Sequence, residues 1–417
     1  MMMSQKIQRP KGTQDITPEL SHAWKHLQDV AIHTLELANY KAIHTPIFES
    51  TSLFARGVGE STDIVNKEMY SFEKSDRSLT LRPEGTAGVV RAFVENKLSQ
   101  HGLPQRLYYI GAMFRYERPQ EGRQRQFHQI GAELIGLDTP AADAESILLA
   151  WQVLKALGIS DLRLELNTVG DPDDRPRFRE SLQALLKPHF ETLCSDCQRR
   201  FEQNPIRMLD CKVPTCQTIY TSEAVENFLQ NFAWSPEASE AFEQLCHMLS
   251  VNGVPFTVNR RMVRGLDYYS RTVFEFITEK LGSQGTVCGG GRYNGLIEEL
   301  GGASTPAIGW AMGVERLFKL IEHPEAPSLD VFIVTDCHAE AFAFAEHLRE
   351  QGLKVEVDLS GRNFGKQLQA AGKRSARHVY TIGSQELESG VIPFKNFETG
   401  ESSTLNFSFP NTLISGK

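Results

Sequence analysis

The sequence predicts a mixed α+β body, interrupted by a helical insertion and followed by a small, separate α/β domain. Three observations carry this expectation. Leu107 to Glu133 reads as two alternating strand-like segments joined by a polar loop. From Asp173 to about Ser250 the apolar periodicity becomes helical, and Lys, Arg, Glu and Gln grow more frequent. Beyond a linker carrying Pro324 and Pro327, strand and helix patterns alternate.

Composition bounds what such a chain can be. Its 417 residues suffice for two or three cores. With 41% hydrophobic and 23% charged residues it falls outside the disordered and collagen-like classes. A net charge of -8 excludes a uniformly basic nucleic-acid coat, yet leaves room for local basic grooves that meet phosphates. The first residues hold no apolar signal-peptide core and no segment approaches the apolar length that spans a bilayer, so a cytoplasmic protein is expected. Seven cysteines, an odd number in a large chain of this kind, argue against a disulfide framework.

In chain order, Ser21 to Asn39 places Trp24, Leu27, Ala31, Leu35 and Ala38 at helical spacing. The strand-like run AIHTPIFES follows. Its Pro46 has no amide hydrogen and must sit at a sheet edge or bulge, which leaves subunit contact and intrachain packing as the two readings. In SLTLRPEGTAGVVRAFV a short strand gives way to a helix from Thr86. Glu84, Gly85 and Thr86 thus occupy a corner that can offer a carboxylate and a hydroxyl to an amine, or simply cap the helix.

The hairpin loop is crowded with Arg115, Arg118, Arg123 and Arg125, interleaved with Glu117 and Glu121, and Phe127 leads into the return strand. Guanidinium forks match phosphate oxygens and flat rings stack on bases, so a nucleotide suits this loop; a solvated hairpin is the alternative. A helix is expected from about Asp143 to Leu157, then a strand in LRLELNTVGD. The inserted helical stretch carries Cys194, Cys197, Cys211 and Cys216, a Cys-x2-Cys pair and a Cys-x4-Cys pair. That spacing suits either a structural zinc site or unliganded, partly buried thiols, and no metal ligand is assigned.

Val258, Arg260 and Met262, and then Thr272 to Ile277, alternate as strands around a connection holding Arg264, Gly265, Asp267, Tyr268 and Tyr269. Three glycines, Gly289 to Gly291, let a ligand or a backbone approach the next strand closely. Neither a Walker loop nor a dinucleotide fingerprint occurs, so nucleotide binding needs another architecture. PAIGWAMGVERLFKLI turns from strand to helix near Gly313, with Glu315 and Arg316 in the first turn. An arginine there works against the helix dipole and invites an anion. The C-terminal region reads as a mainly parallel sheet with helices, carrying Arg362, Lys366, Lys373, Arg374 and Arg377 to meet a polyanion or solvent.

Five of these stretches, in order, resemble the class II aminoacyl-tRNA synthetases and, within that class, the histidine-specific family. The helix and strand ending at Pro46 look like class motif 1, FRYERPQEGRQRQFHQIGAE like motif 2 and AMGVERL like motif 3. TLRPEGT and VRGLDYY are similar to the stretches that mark the histidine enzymes. The resemblance implies an antiparallel sheet flanked by helices in a catalytic domain over residues 1–325, with its helical insertion at about 173–250. It also implies an anticodon-binding α/β domain over 329–417 and a homodimer formed through motif 1.

The implied reaction activates L-histidine with ATP, releases pyrophosphate, and transfers histidine to the 3′ end of tRNA(His); Mg2+ on the outer phosphates is expected. Carried over by residue, Arg115 and Arg264 are catalytic. Glu84, Gly85, Thr86, Arg115, Gln129, Glu133, Arg264, Tyr268, Tyr269 and Tyr293 bind histidine: Glu84, Thr86 and Gln129 at the amino group, Glu133 and Tyr269 at the imidazole. Arg115, Glu117, Phe127 and Arg316 bind ATP, and Arg118, Arg123 and Gln124 face the tRNA. The alternative is a non-catalytic synthetase-like regulatory subunit of histidine biosynthesis.

Overall fold

The computed structural model describes residues 6–59, 62–120, 122–263, 265–266, 268–326 and 328–407. The chain divides into two compact units, Met1–Pro324 and Glu325–Lys417.

The first unit is organised by an eight-stranded sheet. β1 (Lys41–Ala42) lies at one edge. β2 (Phe48–Ser50), β3 (Tyr70–Lys74) and β4 (Arg77–Leu81) leave it to form a separate three-stranded sheet. The large sheet resumes with β5 (Gln105–Phe114), β6 (Gln126–Ile135), β7 (Arg163–Thr168), β8 (Phe256–Val258), β9 (Ser270–Ile277), β10 (Thr286–Arg292) and β11 (Ala307–Gly313). Its order is β1-β5-β6-β11-β10-β9-β7-β8. The five central pairings from β5 to β7 are antiparallel, and only the outermost pairs, β1 with β5 and β7 with β8, are parallel.

One sheet face is covered by helices Pro18–Leu37, Pro140–Ala156 and Pro236–Val251. Leu27, Ala31 and Leu35 of the first helix are fully buried against this core, as their helical spacing requires. The expected single strand in AIHTPIFES is two strands in two sheets: Pro46 stands between β1 and β2, where the missing amide hydrogen interrupts pairing. The helix expected from Asp143 begins at Pro140, with the Thr139 side chain accepting from the Ala142 N–H. Asp143 is instead a buried anchor, accepting from Arg292 Nε at 2.9 Å and from the Thr272 hydroxyl at 2.5 Å.

The strand expected to reach Met262 stops at Val258, because the Met262 N–H turns back to the Asn259 carbonyl. The glycine run in β10 has a measurable cause: a Cβ on Gly290 would lie 2.3 Å from the Gly309 carbonyl oxygen and 2.6 Å from Trp310 Cβ.

The helical stretch after β7 packs in two places. Helices Asp174–Leu186, Ser195–Gln203, Pro214–Tyr220 and Glu223–Asn231 share a core of Phe178, Leu182, Met208, Tyr220 and Leu229. The last helix, Pro236–Val251, instead sends Phe242, Leu245 and Leu249 into the main core.

The second unit holds β12 (Leu329–Thr335), β13 (Val355–Val357), β14 (Ala376–Ile382), β15 (Val391–Asn396) and β16 (Ser402–Asn406) in the order β13-β12-β14-β15-β16. The expectation of a mainly parallel sheet is corrected. β13, β12 and β14 are parallel, joined by helices His338–Glu350 and Phe364–Lys373, while β14-β15 and β15-β16 are antiparallel. Parallel neighbours need a long crossover, and the connections after β14 are too short to supply one. Of the basic residues noted here, Arg362, Arg374 and Arg377 pair with Asp358, Glu356 and Asp330 of the same unit.

Candidate active site

Alternation along β6 sends Ile130, Ala132 and Leu134 into the helix-covered core and turns Gln129, Gly131 and Glu133 to the opposite face. The register sets Gln129 beside Gly313, Gly131 beside Ala311 and Glu133 beside Gly309 on β11. On β10, Gly289 stands beside Ala311 and Gly291 beside Gly309. The floor is therefore nearly free of side chains, and a cavity of about 470 Å³ opens above it. Gly309 is obligatory: a Cβ there would fall 1.6 Å from Glu133 Oε2.

Glu133 is on the cavity face of β6 but 0% exposed, covered by its neighbours and not itself part of the cavity lining. Its Oε1 accepts from the Thr86 hydroxyl at 2.8 Å and its Oε2 from the Tyr293 hydroxyl at 2.5 Å. Burial, opposed by these two bonds and reinforced by the nearby Glu84 charge, raises its pKa to about 8. Tyr268 packs against both Tyr269 and Tyr293, at ring-centroid distances of 4.7 and 5.6 Å. Gln129 lines the cavity, and its buried Oε1 has no hydrogen-bond partner among the described residues. An orphan acceptor of this kind awaits a donor from a ligand.

Glu84 does what an N-terminal carboxylate does for a helix: its oxygens accept from the Thr86 and Ala87 N–H groups, both at 2.8 Å, at the start of helix Thr86–Glu95. It also lines the cavity, and burial raises its pKa. Gly85 does not line the cavity; it leaves room for the Tyr109 ring, which would meet a Cβ at 2.2 Å.

At the other end of the cavity the hairpin loop supplies the cations. Arg115 Nε donates to the Pro83 carbonyl at 2.9 Å, and its guanidinium lies 5.3 Å from the centre of the Phe127 ring. Glu117 pairs with Arg123 at 3.0 Å and stands 3.9 Å from Arg115. From the start of helix Val314–Phe318, Arg316 Nε donates to the Gly122 carbonyl at 3.1 Å. Burial and the repulsion of Arg123 and Arg115 lower its pKa, against the pull of Glu117, so an anion here relieves a local positive excess.

Thus Glu84, Thr86, Arg115, Glu117, Arg123, Gln124, Phe127, Gln129, Tyr268, Tyr269, Tyr293 and Arg316 share one cavity wall, though they come from stretches far apart in sequence. Arg118 is exposed and does not line it. Arg264, Glu121 and Asp267 lie outside the described residues. Four charged lining residues carried no legible signal of a place in the site: Asp210 and Lys212 from the insertion, Glu275 of β9 and Glu315. Glu315 holds the return strand through the His128 N–H and Nδ1, each at 2.9 Å. Only the alternation of β9, which sets Glu275 beside Gly289, could have pointed to one of them.

A nucleotide-sized cavity on an antiparallel sheet, with arginines supplied by a hairpin and a helix start instead of a Walker loop, defines a class II aminoacyl-tRNA synthetase. Residues 12–317 match the family described as histidyl-tRNA synthetase, and residues 329–413 the anticodon binding domain. The histidine–tRNA ligase of Desulfitobacterium hafniense is 48% identical over 406 residues, covering 95% of this chain and 94% of its own. That of Synechococcus elongatus is 46% identical, covering 96% and 93%. The solved structure of apo S. aureus histidyl-tRNA synthetase superposes with a TM-score of 0.79 at 38% identity, covering 96% of this chain and 97% of that one. A structure described as an ATP phosphoribosyltransferase regulatory subunit/histidyl-tRNA synthetase from Bacillus halodurans C shares the fold, with a TM-score of 0.65 at 22% identity, covering 92% and 99%.

The chain belongs to the histidyl-tRNA synthetase family. Its reaction is that of a histidine–tRNA ligase, with ATP, histidine and tRNA as partners, and the regulatory-subunit alternative is the less supported. No helix among the described residues is long and apolar enough to cross a membrane.

Proposed function

We propose that the cavity over β6, β10 and β11 is the adenylation site and that Glu133 reads the histidine imidazole. The observation that carries this reading is the buried Glu133, clamped by Thr86 and Tyr293 at the floor, with a pKa close to neutrality. An imidazole offers a donor at one nitrogen and an acceptor at the other, and it shares a proton readily with such a carboxyl. Tyr268 and Tyr269 wall this pocket, and the unpartnered Gln129 Oε1 receives the substrate ammonium together with Glu84. The Thr86 hydroxyl donates its hydrogen to Glu133, and its oxygen keeps lone pairs that accept from the substrate ammonium beside Glu84 and Gln129.

The substrate carboxylate then attacks the α-phosphorus of ATP and pyrophosphate leaves. Negative charge grows on the phosphoryl oxygens, and Arg115 meets it. By resemblance Arg264 stands opposite. Phe127 and Arg316 enclose the adenine, and Glu117, held by Arg123, accepts from its amino group. A terminal ribose hydroxyl of tRNA next attacks the adenylate carbonyl and AMP departs; Arg118, Arg123 and Gln124 face that acceptor end. Magnesium fits the donor set, since Glu275 and Glu315 bring hard carboxylate oxygens to the wall that also carries Arg316. Bound there, it would neutralise the outer phosphates.

We assign catalysis to residues 1–325 and anticodon reading to 329–417, in a cytoplasmic protein. ATP–pyrophosphate exchange with each amino acid in turn tests the reading. Exchange is expected with histidine and not with the others, and failure with histidine overturns it.

The protein works as a homodimer in this reading. Cross-strand register puts Phe48, Tyr70, Phe72, Leu79 and Leu81 on one face of the three-stranded sheet, and none of them is buried. Phe48 and Phe72 are 54% and 45% exposed. An apolar face of this size suits a second copy of the chain. Sedimentation of a Phe48→Asp, Phe72→Asp variant is expected to give monomers where the parent gives dimers. An unchanged dimer excludes this face.

A further inference from the structure

The four cysteines of the insertion come together in space. Their Sγ atoms all lie within 4.8 Å of one another, and Cys194 and Cys211 are 3.8 Å apart. Four thiolates at about 2.3 Å from a tetrahedral zinc ion stand ~3.8 Å from each other, so the cluster is within about an ångström of the dimensions of a four-thiolate site. Cys197, Cys211 and Cys216 are buried. The Cys194 N–H points to Cys216 Sγ at 3.3 Å and the Val213 N–H to Cys211 Sγ at 3.5 Å, the backbone donors that a dianionic zinc–thiolate centre uses to spread its charge.

The surrounding structure needs a staple. Helices Ser195–Gln203, Pro214–Tyr220 and Glu223–Asn231 have 9, 7 and 9 residues, and no strand runs among them in the described residues. Helices this short are marginal alone, and a small core gains most from a metal that closes its loops. The staple would also reach the cavity. Asp210 and Lys212, on either side of Cys211, both line it. Arg207, one turn earlier, donates to the Gly265 carbonyl, in the stretch that leads to Tyr268 and Tyr269.

We propose that Cys194, Cys197, Cys211 and Cys216 bind one structural zinc ion, and that this ion fixes the wall of the cavity formed by Asp210 and Lys212. Each thiol gives its proton to solvent on binding. The second half of the proposal rests on the adenylation-site reading; the first does not.

The test uses the full chain purified under reducing conditions. One zinc per chain by mass spectrometry of the metal is expected, with the four thiols unreactive until the protein unfolds. Replacement by cobalt is expected to give the strong visible absorption of tetrahedral cobalt thiolate. A Cys194→Ser variant, altered at the one ligand that is not fully buried, is expected to lose zinc at least tenfold more readily to a chelator, whereas Cys246→Ser is not.

A metal-free protein with four freely reactive thiols, or disulfides mapped among them, overturns the site. Stripping zinc is expected to raise the KM for histidine several-fold more than it lowers kcat; an unchanged KM overturns the positioning role. A cobalt spectrum in a protein inactive toward histidine upholds the metal site while refuting the function proposed for the cavity.

Discussion

Replacing Glu133 by Gln is expected to lower kcat/KM for histidine about 100-fold, the effect of ~3 kcal/mol from a mismatched buried polar group. The change is nearly isosteric, so folding tolerates it. The new amide, however, turns an NH2 donor permanently toward either Tyr293 or Thr86, each of which now donates to a carboxyl oxygen. The ATP end of the cavity is walled by other residues, and the KM for ATP should move by less than ~1 kcal/mol. An unchanged apparent affinity for histidine in pyrophosphate exchange would remove Glu133 from the specificity pocket.

The same carboxyl sets a pH dependence. Its pKa in the folded state is about 8, above the ordinary 4.5, so between these values the folded chain holds a proton that the unfolded chain has released. This group's contribution to stability is therefore greatest at low pH and declines as pH rises through that window. Histidine binding needs one proton shared between imidazole and Glu133. Affinity should weaken below the imidazole pKa of ~6.5, when both groups are protonated, and again as pH passes about 8, when neither is. The substrate amino group titrates in wild type and variant alike. Loss of the limb near pH 8 in Glu133→Gln is the diagnostic result, and its persistence would assign that limb elsewhere.

Arg115→Ala is expected to slow adenylate formation in a single turnover by about 100- to 1000-fold, the usual cost of losing a positioned donor to a developing oxyanion. Nε is anchored on the Pro83 carbonyl, which commits one edge of the guanidinium of a side chain that lines the cavity. Arg115→Lys should recover little, since an ammonium cannot hold the carbonyl and span two oxygens together. Arg115 lies on the cavity wall and not in a core cluster, so unfolding midpoints should change little. Near-normal single-turnover rates would take Arg115 out of the catalytic set.

Much of the site could be read from residue order because its chemistry is concentrated in short stretches. Arg115 and Arg123 of the hairpin, the corner at Glu84, the paired tyrosines and Gly289 of the glycine run each stand out locally, and the cavity gathers them. What escaped was set by contacts distant in sequence. Asp143 has the look of a helix-start residue until Arg292, 149 positions away, reaches it. Glu315 gave no sign that it would clamp His128. Asp210 and Lys212 lie in a helical insertion whose periodicity says nothing about which turn meets the active site.

Local pattern determined the hairpin, the strand-to-helix corners and the four-cysteine spacing, because period, turn chemistry and residue type act over a few positions. Tertiary structure alone decided that Thr86 and Tyr293 converge on Glu133, that a bare Gly309 makes space for it, and that burial lifts its pKa toward neutrality. A carboxyl's proton affinity depends on how much water surrounds it and which donors face it, and folding supplies both.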